Sequence, residues 1–384
     1  MCQKQRETGM SDKAAVVIDN GSSMIKVGLA GEDEPKAFFP AVVGLFQSKD
    51  EKEAGLTTKF AYVGFEAEEK KEILSIKHPI ERRVVVNHDD MEKIWWHAYV
   101  NALDMLPEDQ AALIIEPPMN PKENRSKATQ IMFESLGVPA LYLANSAVLA
   151  LFVTGKTTGV IVDSGYSVTH IVPIYQEFSV PYANLRMDFG GKDLTSYMIK
   201  LFHEQSCSFG FIGGRECVRK IKKSLTYVAE DFDQEMKRAE LDPSAVNVEY
   251  ELPDKRVINV GTERFRCPEV LFDPVLVGWH EGGLHQTIYT SIQKAEIDMR
   301  KELFSNILLC GGNSMFKGLH VRLQKELKKL APPGTNVCVN APENRHHLVW
   351  IGGSVLASLP RFESMCMTKA EYQEFGSSIV FRKC

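Results

Sequence analysis

An α/β fold with two domains is predicted by three observations. Apolar β-runs alternate with helical patterns along the chain. Two of those runs, 14–18 and 158–162, end in related turns, Asp19-Asn20-Gly21-Ser22-Ser23 and Asp163-Ser164-Gly165-Tyr166-Ser167. A length of 384 residues exceeds one simple core and suits two domains, each with a substantial interior.

Taken in order, the elements follow from period and punctuation. Strand 14–18 runs into the first turn. A helix over 87–103 opens on Asn or Asp, and another over 122–136 is stopped by Gly137. Strand 158–162 runs into the second turn. Further helices are predicted over 192–204, 215–231, 285–302, 319–330 and 353–359, with a β-rich piece over 248–265. The run 307–310 ends in a third glycine exit, Gly311-Gly312. Helical Met, Trp and Phe positions, Trp95-Trp96 included, read as core. Segment 47–59 is charged and nearly free of apolar residues, which predicts a mobile surface loop. Residues from 190 to about 280 are numerous enough for a small outer subdomain.

Composition excludes several classes. Hydrophobic content is 44%, charged content 25% and net charge −5 with Lys and Arg dispersed, so no nucleic-acid footprint is expected. Eight cysteines, without a Cys-x-x-Cys pair or zinc-like spacing, predict a reduced intracellular compartment. The N-terminal residues lack an apolar signal core. The longest apolar stretch, 140–153, is broken by Asn145-Ser146 and too short for a bilayer.

The paired turns carry the chemistry. A strand ending in a carboxylate and then a glycine turn is a hairpin signal. It is also a way to aim backbone N–H groups at phosphate oxygens. A carboxylate cannot face phosphate directly, but a small hard cation that keeps its waters reconciles the two, which makes Asp19 and Asp163 candidates for a Mg²⁺ water shell. Lys26 offers a compensating positive charge. Two such turns suggest related halves facing one anion.

The chain resembles the actin family from about residue 14 onward. The resemblance is carried by Asp19-Asn20-Gly21-Ser22, Asp89-Asp90-Met91-Glu92-Lys93-Ile94-Trp95, Asn120-Pro121-Lys122, Gln130-Ile131-Met132-Phe133-Glu134, Gly261-Thr262-Glu263-Arg264-Phe265-Arg266-Cys267-Pro268-Glu269, Trp350-Ile351-Gly352-Gly353-Ser354 and Ile379-Val380-Phe381-Arg382-Lys383-Cys384. It implies the two-lobed actin-like ATPase fold, shared with Hsp70-type ATPases and sugar kinases, with four subdomains around an ATP–Mg²⁺ cleft. They would be 9–40, 79–153 and 348–384; 41–78; 154–189 and 280–347; and 190–279. The cofactor implied is ATP or ADP with Mg²⁺, and Ca²⁺ in its place in vitro.

Carried over position by position, Gly21, Ser22, Ser23, Met24 and Lys26 would hold phosphates together with Gly165, Tyr166, Ser167 and Val168. Asp19 and Asp163 would act on the metal through water, and His170 would lie near the attacking water. Gly191, Lys222, Lys223, Gly311, Gly312, Met315 and His346 would line the nucleoside, with Arg186 and Asn120 at a phosphate exit.

Several positions depart from the family pattern. Where the family has a Gln that positions the attacking water, residues 142–148 align without a gap to place Ser146. Its hydroxyl is shorter by several bonds, and losing one positioned group costs about 10²–10³ in rate in other enzymes, so slow hydrolysis is expected. Tyr166-Ser167 replaces Asp-Gly, Ser23 a Gly, Lys223 a Glu and His346 a Lys. Retained nucleotide binding and altered binding are both compatible with that pattern. The charged segment 47–59 replaces an apolar inter-subunit loop, and Gln3-Lys4-Gln5-Arg6 replaces an acidic run. The plug-like Val275-Leu276-Val277-Gly278-Trp279 stays apolar, as does a partner groove of Phe152, Val355, Leu356, Leu359 and Met365, with Arg361 at its rim. The expectation is an ATP-binding cytoskeletal or scaffold subunit in a larger protein complex, meeting other actin-family or cytoskeletal proteins, in the cytoplasm and cytoskeleton with axonemal or nuclear association open. A conventional filament-forming ATPase is the alternative. A small-molecule kinase on the related fold is a third reading, for which the cleft-lining segments offer no additional carboxylate as base.

Overall fold

The computed structural model describes residues 13–46, 61–205 and 213–384. The charged segment 47–59, the N-terminal basic run, Cys2 and Cys207 lie outside the described residues. The chain divides into two compact units, one of residues 1–155 with 347–384 and one of residues 156–346.

The first unit is built on a six-stranded sheet. It contains β1 (Val16–Asn20), β2 (Met24–Leu29), β3 (Ala37–Pro40), β9 (Ala112–Glu116), β10 (Ala140–Asn145) and the short Met367–Thr368, ordered Met367–Thr368, β10, β9, β1, β2, β3. A small sheet of β4 (Val43–Phe46), β5 (Tyr62–Val63) and β6 (Leu74–Lys77) and a ribbon of β7 (Ile80–Glu81) and β8 (Val84–Val85) complete its strands. Strand β1 is buried throughout, because both faces of the sheet are covered, which is why it reads as a continuous apolar run instead of an alternating one. Val16, Ile18, Ile25 and Val27 pack with Met91, Ile94, Trp95 and Met132 on one side. The helix Leu348–Ala357 covers the other, with Trp350 Nε1 donating to the Val17 carbonyl at 3.1 Å.

Residues 353–359 were expected to open a helix, but the helix begins earlier, at Leu348. The glycine pair marks close packing. A Cβ on Gly353 would stand 2.9 Å from Val17 Cγ1 and 3.1 Å from Ile115 Cδ1. The helix expected over 87–103 forms as α2 (His88–His97), and its last turn widens into a π-helix over Ala98–Ala102. Asn87 caps it by accepting from the Asp90 N–H at 3.0 Å. Trp95 is buried and its indole donates to Asn20 Oδ1 at 3.2 Å, whereas Trp96, about 100° further round the helix, is exposed and not core. The 122–136 helix forms as α3 (Lys122–Gln130) continued by a π-turn over Ile131–Ser135. It ends at Gly137, whose φ of 73° supplies the stop.

The second unit repeats the plan. Strands β11 (Gly159–Ser164), β12 (Thr169–Tyr175), β13 (Phe178–Ser179), β17 (Ile307–Cys310) and β18 (Val339–Asn340) run in the order β13, β12, β11, β17, β18, with β14 (Leu185–Met187) on β12. Helices α5 (Gly191–Glu204), α6 (Gly214–Leu225), α9 (Leu284–Lys294), α10 (Ile297–Ser305) and α11 (Leu319–Leu330) bury Leu194, Met198, Ile221, Ile288, Leu303 and Leu323 around Val160, Val162 and Leu309. The predicted 215–231 helix stops at Leu225, where Thr226 turns extended (ψ 149°) and Tyr227 bridges to Lys317. The predicted 285–302 helix is two helices, because Ala295 and Glu296 both adopt ψ near 150°. The 248–265 piece is the hairpin of β15 (Val248–Glu251) and β16 (Val257–Val260), followed by a helix over Glu263–Glu269.

Candidate functional site

Both Asp-x-Gly turns close hairpins, so the plain reading of the motif and the functional one coexist. In the first unit β1 pairs antiparallel with β2 and parallel with β9. In the second, β11 pairs antiparallel with β12 and parallel with β17. Each carboxylate occupies the same place in that frame. Asp19 lies opposite Lys26, and Asp163 lies opposite His170. Directly opposed residues project from the same face of the sheet, so each pair is a side-chain neighbour pair.

The turns themselves are tight. A Cβ on Gly21 would run into the Met24 carbonyl, so only glycine fits there. The Gly21 N–H returns to the Asp19 carbonyl at 3.1 Å, and Gly165 N–H to Val168 at 2.9 Å. Among the described residues, neither Ser22 nor Ser23 spends its N–H on a backbone carbonyl, and neither Tyr166 nor Ser167 does. Each turn therefore holds two consecutive amides without a backbone acceptor, the kind of run from which an anion-binding concavity can be built. The carbonyls of the second turn are held back by α5: Gly191 N–H donates to Gly165 O at 3.0 Å and Lys192 N–H to Tyr166 O at 2.7 Å.

In the first unit the carboxylate is engaged on both oxygens. Lys26 Nζ lies 2.8 Å from Asp19 Oδ2, and the Arg83 guanidinium lies 3.1 Å from Oδ1. Burial pushes the Asp19 acid upward, but the charges of Lys26 and Arg83 outweigh it and hold the group below the ordinary carboxylate range. The Arg83 N–H also donates to Ser22 Oγ at 2.7 Å. Sequence reading missed Arg83 because the β7–β8 turn, Arg82-Arg83, has none of the Asn or Gly that marks such a hairpin. Ser146 opens α4 (Ser146–Phe152) directly after β10, and Asn145 caps that helix by accepting from Ala147 N–H at 2.9 Å. Ser146 is fully buried, and its hydroxyl has no hydrogen-bond partner among the described residues. Asn120 donates to Glu116 Oε2 at 3.0 Å, beside Arg125.

In the second unit the third glycine exit meets the second carboxylate. Gly311 has φ 85°, and a Cβ there would sit 2.6 Å from Asp163 Oδ1 and closer still to the Ser164 carbonyl. Asn313, another residue the sequence reading passed over, donates to Ser164 Oγ at 3.0 Å while its own Oδ1 has no partner among the described residues. Gly191 stands beside it: a Cβ there would lie 3.2 Å from that Oδ1 and 3.4 Å from Lys222 Nζ. Lys222 is buried and donates to the Gly191 carbonyl. Burial lowers its pKa to about 8, with Lys223, Arg219 and Arg215 adding to the effect and Cys267 opposing it. Lys223 faces solvent on the next position of α6, and His346, Gly312 and Met315 are exposed. Val168 and the Ser167 side chain are buried, and Ser167 Oγ has no partner among the described residues. Tyr166 is exposed. His170 is buried between Asp163 and Arg186 in the strand register, and Arg186 binds Asp188 at 2.7 Å. Arg345, also missed, braces the exit: its guanidinium donates to the Ser314 carbonyl at 3.1 Å and its carbonyl accepts from Gly311 N–H.

A strand, carboxylate and hairpin repeated in the same parallel-antiparallel frame, with paired amides at each turn, define the class of α/β proteins with the actin-like ATPase fold. The family model described as Actin matches residues 10–384. The chain belongs to the actin family.

The second unit's residues fit a nucleotide and its metal: two consecutive turn amides not spent on backbone carbonyls, an Asn313 oxygen without a partner among the described residues, and a strand-end Asp163. In the first unit the amides fit equally, but Asp19 differs from an open metal-side carboxylate, since two cations already bind it. Among the described residues no cluster of three or more His, Cys, Asp or Glu forms a direct metal cage. Mg²⁺ characteristically keeps its waters and takes one or two carboxylates plus phosphates, so it needs no such cage.

Proposed function

We propose that this chain is a divergent actin-family scaffold subunit that binds ATP or ADP with Mg²⁺, hydrolyses ATP slowly, self-assembles weakly and works within a larger protein complex. The observation that carries the nucleotide part is the hairpin, present once in each unit, whose turn holds two consecutive amides not spent on backbone carbonyls. In the first unit Ser22 and Ser23 would donate to phosphate oxygens with Lys26 adding charge, and in the second Tyr166 and Ser167 are the corresponding donors. Gly191, Lys222, Gly311 and Asn313 take the nucleoside. A Mg²⁺ ion would supply charge neutralisation on the phosphates, and Asp163 would hold it through its waters.

Slow hydrolysis is supported by Ser146. A side chain with one hydroxyl, fully buried at the first turn of α4, cannot reach out to hold a water against a terminal phosphate. His170, also buried, is the remaining polar group assigned to that water.

Partner binding is supported by apolar surface within single units. In the first unit Val355 is exposed and Phe152, Leu359 and Met365 are half-buried beside buried Leu356, with Arg361 exposed at the rim. In the second, Val275 and Leu276 are exposed on a short 3₁₀ turn, while Trp279 packs on Phe189 with ring centroids 5.6 Å apart. These patches suit other actin-family or cytoskeletal proteins in the cytoplasm. No helix among the described residues is long and apolar enough to cross a membrane.

One preparation tests the proposal. The isolated protein should retain ATP or ADP, release phosphate slowly, and stay in the supernatant on centrifugation in polymerising salt. Quantitative pelleting with accelerated phosphate release would replace it with a conventional filament-forming ATPase. Phosphoryl transfer to sugars, polyols or acetate would replace it with a kinase.

A further inference from the structure

Trp96 is the half of the Trp95-Trp96 pair that the core does not take. It is 49% exposed on α2 and lines a surface cavity of about 280 Å³ whose lining residues all belong to the first unit and include none of the glycine turns. Ala61, Val63 and Leu136 supply its apolar wall. Two π-helical segments occur among the described residues, Ala98–Ala102 and Ile131–Ser135, and both reach this cavity, through Asn101 and Ser135. Such widened turns gather at functional sites.

The charges of the lining decide what fits. Lys93 is held by Asp90 Oδ1 at 2.7 Å and donates to the Asp89 carbonyl at 3.2 Å. Glu66 meets Lys70 at 3.2 Å, and the His97 ring packs edge-on against Phe39 with centroids 4.8 Å apart. Glu92, half-buried, makes no hydrogen bond or ion pair among the described residues. Glu92 and Trp96 stand four positions apart on α2, which makes them neighbours on one face, about 5–6 Å between Cβ atoms. An unspent carboxylate beside an uncovered indole is matched by a flat cation. A guanidinium stacks on the ring and sends paired N–H groups to the carboxylate, whereas an ammonium has no plane to stack. At about 280 Å³ the cavity falls below the roughly 300–1,000 Å³ of ordinary small-molecule sites, so a single side chain suits it better than a whole metabolite. Tryptophan and arginine are also the residue types that dominate protein–protein hot spots.

We infer that this cavity is a docking site for an arginine side chain of a protein partner, with Glu92 as its counter-ion, Trp96 as its stacking surface and Asn101 and Ser135 as further acceptors at the rim. The inference does not depend on nucleotide binding.

The probes that test it are N-acetyl-arginine methylamide, its lysine counterpart and its citrulline counterpart, in which an uncharged urea replaces the guanidinium. Each is titrated into the full chain carrying ¹⁵N-labelled tryptophan, whose four indole N–H signals report separately, and Trp96→Phe assigns the Trp96 signal. The arginine probe should move that signal with a Kd of about 1–10 mM, the lysine probe should bind several-fold more weakly, and the citrulline probe should leave the signal in place. Glu92→Gln keeps the side-chain shape and should weaken the arginine probe by about tenfold, with a melting curve to check that the variant folds. A Trp96 signal that the arginine probe does not move overturns the inference. Equal binding of the arginine probe and either other probe, or of wild type and Glu92→Gln, overturns it as well. Free agmatine binding about tenfold tighter than the blocked arginine also overturns it, because the cavity would then serve a small amine instead of a partner's side chain.

Discussion

Asp19 receives Lys26 Nζ at 2.8 Å from directly across the β1–β2 hairpin, the same cross-strand placement in which Asp163 faces His170 in β11–β12. The two halves thus share a frame and differ in its charge. A lysine pairs with the first carboxylate, whereas the residue opposite the second is a buried imidazole. An Asp19→Asn variant would leave Lys26 and Arg83 facing an amide. The loss should fall at the low end of about 3–5 kcal/mol, because Lys26 keeps some contact with water. Urea midpoints read it directly. The pH dependence has a definite sign: the folded Asp19 acid is stronger than the unfolded one, so its contribution is complete above the unfolded value of about 3.9 and fades as pH falls below it. The stability gap between wild type and Asp19→Asn should therefore narrow in that acid range. A gap that stays constant down to acid pH would show that the ion pairs contribute nothing.

How much of this was legible in the sequence depended on turn chemistry. Gly21, Gly165 and Gly311 mark their turns, and Gly137 marks the end of its helix, so the strand exits and the stop of α3 could be placed from residue types alone. Arg83 could not. Two arginines at positive φ carry no turn signal, and the partner that holds Arg83 is 64 positions away. Ala295-Glu296 breaks a helix without Gly or Pro, so one helix was read where two exist. Thr226 ended α6 for a tertiary reason, the Tyr227 bridge to Lys317. The Gly352-Gly353 pair misled in the opposite direction, since packing against β1 and β9 requires it inside a helix.

Gly311 offers a test of the second half-site. Alanine there must adopt φ 85° and pushes its Cβ onto Asp163 Oδ1 and onto the Ser164 carbonyl, which belongs to the backbone and cannot swing away. Left-handed strain of about 1–2 kcal/mol and overpacking of about 1–3 kcal/mol both apply. Gly311→Ala should lower the thermal midpoint and weaken ATP retention together. Gly312→Ala, with open space around its Cβ, is the control and should change little. Equal behaviour of the two variants would show that the Gly311 contact with Asp163 is unimportant.

Lys222 predicts a basic-range signature. Burial lowers its folded pKa to about 8, against about 10.4 in an unfolded chain, so between these values the unfolded state binds the additional proton. The Lys222 contribution to stability should thus rise with pH through that window, by up to about 1.4 kcal/mol per unit. Buried thiols such as Cys267, pushed up to about 12, act in the opposite sense, so the comparison must be a difference. Subtracting Lys222→Met from wild type across pH 8 to about 10 reads the lysine together with its coupling to Cys267. A flat difference would mean that Lys222 is solvated in the folded state.

Ser146 separates a structural consequence from a catalytic one. Its hydroxyl is buried without a partner among the described residues, a condition that costs about 1–3 kcal/mol, so Ser146→Ala should stabilise the protein by about 1 kcal/mol. The alanine variant should leave phosphate release where it was, since a hydroxyl that holds no water gives up none. Ser146→Gln puts a longer side chain into a fully buried position and should destabilise by about 1–3 kcal/mol. Its amide nevertheless extends several bonds further, and on the slow-hydrolysis reading it should raise phosphate release from bound ATP by about tenfold or more, a fraction of what one positioned group is worth elsewhere. If Ser146→Ala slows release instead, the serine is positioning water after all, and slow turnover must be sought at Tyr166-Ser167 rather than at the start of α4.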